Sequence, residues 1–327
     1  MLDNIELPVK KSWYNCLNWQ AAAGVVASNS VYCDDWYLTN SINICCEKQF
    51  LNEFKKYSPR VMVDNTHPWS IPLIDKYEFP KSFLKYSISE VISSVLESGY
   101  YLYFNGFDNY YIENKRGFNQ HHNSHDGMIV GVNNKKKGYS IFAYDLNNRL
   151  KRFQTSQSGF EKAFNSYPNE GVFLALKNNN IKYDYDFNIF IKNLKSYFLS
   201  NQTDMYKNPD EFIFGIDVIS HVAEYVKSFY EQDIPFDLFD LRNFLSISEN
   251  KHCIYHSLLK AQEKVFLNSE VCSKYNEIYQ QSEIIRMLSI KFSLVKRVDI
   301  LKSLYISVLK LLDMEQELLP KILNYLV

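Results

Sequence analysis

Cys16 lies in SWYNCLNWQAAAGVVA, and a distant block, SHDGMIVGVNNKKKGYSIFAYD from Ser124 to Asp145, carries His125 and Asp145. A cysteine about to enter a helix, a histidine opening a strand and an aspartate closing the next strand can act as nucleophile, base and orienting group. Their chemistry would be acyl transfer through a thiol. A thiol attacks well only as thiolate, and free cysteine, with a pKa of about 8.5, is mostly protonated near neutrality. A helix amino terminus and a neighbouring imidazolium both lower that value. Cys16 has the first by position. His125 supplies the second if the fold brings the two together, and Asp145 would then accept the proton on the other ring nitrogen and hold the tautomer.

Each of these residues, taken alone, reads as structural: a cysteine as a small buried hydrophobe, a histidine before a strand as a loop residue. The order and the placement at element ends carry the functional reading. His121 and His122 are rival bases in the same loop and read as surface residues. Asp126 is a rival orienter, although a residue adjacent to His125 rarely reaches the distal ring nitrogen, and Asn147 is a weaker substitute for Asp145. His252 and His256 stand at i,i+4 on a predicted helix without a carboxylate at ligand spacing, so no metal is expected.

The elements that must position these groups follow from periodicity. The spacing predicts a helix over 12–30, capped by Ser12 or Asn15, with Leu17, Ala21, Gly24 and Val25 on one face. A second helix is expected around 34–57, with SINICCEKQF ambiguous, then a short strand and a proline-rich loop in RVMVDNTHPWSIPLI. Ser87 and Glu90 form a capping box for a helix that Gly99 ends. YYLYFNGF, GMIVGV, YSIFAYD and GVFLALK read as strands, with a short helix from Phe160 to Tyr167. GMIVGV and YSIFAYD, joined by NNKKKG, form an antiparallel hairpin whose outer ends would set His125 beside Asp145. After the Asn-rich KNNNIKYDYD, apolar residues recur at helical spacing to the end. The fold class is therefore α+β, with a mixed domain over 1–178 and an all-α domain over 186–327.

The chain has 327 residues, 46% of them hydrophobic, enough for two cores. A formal net charge of −1 argues against a nucleic-acid binder. The first residues do not form a secretory signal, no apolar run approaches a membrane span, and six cysteines without metal spacing read as reduced thiols, so a cytoplasmic protein is expected.

YNCLNWQAAAGVVA, VISSVLESGYYLYFNGF, HDGMIVGVNNKKKGYSIFAYD and SQSGFEKAF together resemble the papain-like cysteine peptidase superfamily, including a glycine six residues after the histidine, here Gly131. FGIDVISHVAEYVKSF and HCIYHSLLKAQEKVF extend the resemblance, weakly, to the helical domain of butirosin-type acyltransferases. The architecture is also similar to closthioamide-type thiotemplated amide synthases. That resemblance implies a papain-like fold with a nucleophile helix, and an acyl group moved from a carrier-protein thioester through Cys16 to a small amine. The enzyme would need no cofactor of its own, since phosphopantetheine arrives on the carrier. It departs from the peptidases at Lys10, where they place an oxyanion-hole glutamine; Asn15, Trp13 and Tyr14 are candidate second donors beside the Cys16 N–H. Acidic carriers call for a basic docking patch, for which Lys115 with Arg116, Lys135 to Lys137, and Lys151 with Arg152 are candidates.

Overall fold

The computed structural model describes residues 4–16, 18–51, 57–84, 88–147, 149–166, 171–202, 208–265 and 268–326. Leu17, Ser87 and Tyr167, which figure in the expectations above, lie outside them. The chain is α+β, and it divides into two units that do not follow a single cut. One comprises residues 1–33 and 66–182, the other 34–65 and 183–327. Residues 34–65, read from sequence as part of the first domain, thus pack with the carboxy-terminal part.

The first unit is built on a seven-stranded antiparallel sheet. Its strands are β1 (Asn4–Glu6), β4 (Ile74–Pro80), β5 (Tyr101–Asp108), β6 (Ser124–Asn133), β7 (Gly138–Tyr144), β8 (Leu150–Ser156) and β9 (Val172–Asn178). The order is β4-β9-β5-β6-β7-β8, with β1 pairing the second half of β6. Helix α1 (Asn18–Ala27) packs on one face. On the other face, α3 (Ile88–Glu97) and α4 (Gln157–Asn165) close a core of Ile92, Leu96, Leu102, Phe104, Ile129, Ile141, Phe160 and Phe173. Helices on both faces explain why Met128 to Val132 run apolar without alternation. Aromatic side chains fill this core, as in the contacts of Phe107 with Phe104 and Phe160.

The outer strands β4 and β8 carry Lys76, Glu78, Lys151 and Arg152, charges that blunt exposed edges; both strands escaped the sequence reading because of them. Gly131 has a steric reason. A Cβ there would sit 2.6 Å from the Ile5 carbonyl oxygen, so only glycine lets β1 lie along β6.

The second unit holds helices α2 (Cys33–Asn40, from its second residue on), α5 (Phe187–Phe198), α6 (Asp217–Glu231), α7 (Arg242–Val265), α8 (Ser269–Val295) and α9 (Val298–Leu326). It is not all helical. Strands β2 (Ile44–Glu47), β3 (Met62–Val63) and β10 (Phe212–Phe214) form a small antiparallel sheet, so the helix expected around 34–57 holds to Asn40 and gives way to β2, residues 52–56 lie outside the described ones, and β10 interrupts the domain expected to be all-α. Ile44, Cys45 and Cys46 are buried on consecutive positions, which a two-sided strand permits and an amphipathic helix does not.

Between the long helices, Lys251 and Glu315 form a fully buried pair at 3.0 Å, with Tyr197 and Tyr275 donating to the carboxylate at 2.7 and 3.0 Å. Burial pushes the Lys251 ammonium below its usual value against the pull of Glu315. Glu315→Gln would leave that cation uncompensated, and a loss of about 3–5 kcal/mol is expected from urea unfolding. Lys251→Met/Glu315→Leu should lose far less; equal losses would show that the pair itself supplies the stability.

Candidate functional site

Cys16 is 2% exposed and lies just ahead of α1. The turn before it is made by Ser12, whose hydroxyl accepts from the Tyr14 N–H at 3.2 Å and donates to the Tyr14 carbonyl at 2.9 Å. Asn15 adds a bond from its side-chain amide to the Ser12 carbonyl at 3.1 Å. These bonds fold Ser12 into the turn rather than onto the helix as its cap. Gly24 of α1 makes room for the turn, because a Cβ there would fall 1.8 Å from Ser12 Oγ. From the sheet, the Tyr144 hydroxyl donates to the Asn15 carbonyl at 2.7 Å and lies 3.3 Å from that of Cys16. The end of β7 is thereby tied to the cysteine segment.

His125 is the second residue of β6, paired across the ladder with Phe107. Its Nδ1 lies 2.7 Å from Asp126 Oδ1, and the Asp126 N–H donates to the same nitrogen at 2.9 Å. Asp126 Oδ2 accepts from the Tyr103 hydroxyl at 2.7 Å. Burial, and then the Asp126 charge, pushes the Tyr103 phenol well up, so it stays a donor.

Asp145 follows β7 and is almost fully buried. Its Oδ1 accepts from the amides of Asn147 and Arg149 at 2.8 and 2.9 Å, and its Oδ2 meets Lys151 Nζ at 2.7 Å. Burial acts to raise this carboxyl, but Lys151 and the two amides outweigh it and hold the group below its usual value. The hairpin does not run as far as expected. The last β6–β7 pair toward this end is Met128 with Phe142, and Asp145 forms its bridge with Lys115 instead. The contacts described thus join Cys16 to Tyr144, His125 to Asp126, and Asp145 to Lys151 and its own turn.

Lys115, expected as a docking cation, is buried, and its ammonium donates to the Asp126 carbonyl at 2.5 Å. Burial lowers its pKa to about 8, with Asp126 opposing. His122 is also more than a surface residue: its Nδ1 lies 2.6 Å from buried Asp108, and its ring stacks on Tyr110. His121 is exposed. The sequence reading passed over Tyr144, Tyr103 and Asp108, and gave Lys115 and His122 other roles. A polar residue inside an apolar strand, as Tyr103 and Tyr144 are, was the available signal.

His252 and His256 pack edge to face at 4.4 Å, and no cluster of three metal-ligating side chains occurs among the described residues. Nor, among the described residues, is any helix long and apolar enough to cross a membrane. No protein-family model matches the chain, and no curated protein matches it either.

Two outcomes follow from this geometry. Gly24→Ala should cost about 1–3 kcal/mol by overpacking. In a Ser12→Gly background, which itself loses the Tyr14 bonds, the same Gly24→Ala change should cost much less, since the nearest remaining residue-12 atom is Cα at 3.4 Å; equal costs in the two backgrounds by thermal melts would remove the steric account. For Lys115, the folded pKa lies below the ordinary 10.5, so between about 8 and 10.5 the unfolded chain binds the extra proton. Stability from this group therefore rises with pH across that window, by about 3 kcal/mol. Unfolding curves of wild type and Lys115→Met should diverge accordingly; parallel curves would contradict the buried ammonium.

Proposed function

We propose that this chain is a papain-like, cysteine-dependent acyltransferase. Cys16 takes an acyl group from a carrier-protein thioester and passes it to a small amine, forming an amide. The observation that supports it best is the bond from Tyr144 to the backbone at Asn15 and Cys16, which ties the cysteine segment to the end of β7, the hairpin partner of the strand that carries His125 near its start.

In the first step the Cys16 thiolate adds to the thioester carbonyl, the new S–C bond forms, and the carrier arm leaves as a thiol, taking its proton from the His125 imidazolium. In the second step the amine attacks the acyl-enzyme while His125 accepts its proton; the C–N bond forms, the C–S bond to Cys16 breaks, and the thiolate is restored. Exchange between thioesters is near thermoneutral and amide formation is downhill, so no nucleotide is consumed. Asp126 Oδ1 lies 2.7 Å from Nδ1, the proximal ring nitrogen; in the working tautomer Nδ1 carries its proton toward that carboxylate instead of accepting from the Asp126 N–H, and Nε2 is the base. Contact therefore favours Asp126 as orienter, while chain order favours Asp145, whose carboxylate builds the turn into β8.

The test uses the full chain and octanoyl-N-acetylcysteamine as thioester. Intact mass should show one octanoyl group on wild type and none on Cys16→Ala, and added benzylamine should discharge it as the amide. His125→Ala should slow loading by about 10²–10⁴-fold. Asp126→Asn should shift the pH dependence of loading and Asp145→Asn should not; the reverse result would restore Asp145 as the orienter. Acylation of Cys16→Ala would end the proposal, and discharge to water alone, with cleavage of peptides, would select a peptidase.

A further inference from the structure

A cleft of about 590 Å³ opens beside the cysteine segment, within the first unit. Four cations line it: Lys10, Lys11, Lys151 and Arg152. Two of these are held in place from behind, Lys151 by Asp145 at 2.7 Å and Arg152 by Glu6 at 3.0 Å. Lys10 and Lys11 are exposed and have no carboxylate partner among the described residues. Four positive charges against two carboxylates leave an excess of about two along this cleft.

The rest of the lining narrows the chemistry. Phe142 and Leu150 supply an apolar floor, and Asn15 brings the cleft to the residue before Cys16. We infer that the cleft binds an organic phosphate, with its ester chain on the apolar floor and its phosphoryl group between the Lys10–Lys11 pair and the Lys151–Arg152 pair. A phosphate monoester carries about −1.5 to −2 at pH 7, which matches the excess, whereas a carboxylate neutralises only half of it. Lysine ammoniums suit phosphate as point charges, and a tethered guanidinium adds direction. This inference stands whether or not the Cys16 thiol is reactive.

Calorimetry of the full chain with butyl phosphate, butyrate, butanol and inorganic phosphate tests it. Butyl phosphate should bind at least tenfold more tightly than butyrate or inorganic phosphate, and butanol should not register. Lys10→Glu/Lys11→Glu should weaken butyl phosphate at least tenfold, and Lys135→Glu/Lys136→Glu, on the exposed β6–β7 turn, should leave it unchanged. As a measurement on wild type, butyl phosphate should shield Lys10 and Lys11 from acetic anhydride without shielding Lys135 or Lys136. Equal binding of butyrate, equal loss in both charge-reversed proteins, or no shielding would each overturn the assignment.

Discussion

The geometry of the first unit depends on how closely a five-residue turn approaches two neighbours at once. Residues 12–16 lie against α1 where Gly24 has no side chain, and they receive the Tyr144 hydroxyl from the sheet. Neither contact is replaceable by general hydrophobic packing. A methyl group at position 24 would overlap Ser12 Oγ outright, and a buried carbonyl left without a donor costs about 1–3 kcal/mol. The cysteine therefore has its position set by one absent atom and one phenolic proton, both distant from it along the chain or across the sheet.

Around that turn the sheet end is unusually rich in buried polar groups. Lys115, Tyr103 and Asp145 are buried and Asp126 is half-buried, and each has found a polar partner. The arrangement has a topological consequence. Because Lys115 takes the bridge position beside Asp145, the β6–β7 ladder stops at Met128 and Phe142, and the start of β6 is released from β7. The imidazole of His125, with 40% of its side chain exposed, turns there to the carboxylate of the next residue. Within a fully paired strand, neighbouring side chains point to opposite faces and could not meet so easily.

That release explains where the sequence was legible and where it was not. β5, β6, β7, β9, α3 and α5 announce themselves through period and caps, such as Asp186, which accepts from the Ile189 N–H at 3.0 Å. The hairpin was readable as a hairpin, but its outer end was not, since nothing local to GMIVGV or YSIFAYD signals that Lys115 will intervene. Residues 34–65 defeated periodicity for another reason. CDDWYLTN is a helix of only eight residues, and ICCE is a strand buried on both faces, so neither displays the one-sided pattern that separates the two states. The partner strand β10 lies more than 160 residues on, and a three-residue strand has no period to read.

The six cysteines show why position along an element matters more than exposure for thiol reactivity. All six are buried and none forms a disulfide, and Cys16 at 2% is scarcely more accessible than Cys45 and Cys46 at 0%. Accessibility in the resting structure cannot select among them. Electrostatics can. Cys46 lies within β2, where burial first and the adjacent Glu47 second push its thiol far up, away from the thiolate. Cys16 lies just ahead of α1, whose amino-terminal dipole favours negative charge, in a segment whose carbonyls already have a donor in Tyr144. A thiolate formed at Cys46 would meet the neighbouring carboxylate, whereas position 16 precedes a helix amino terminus, and that difference is what the proposed chemistry relies on.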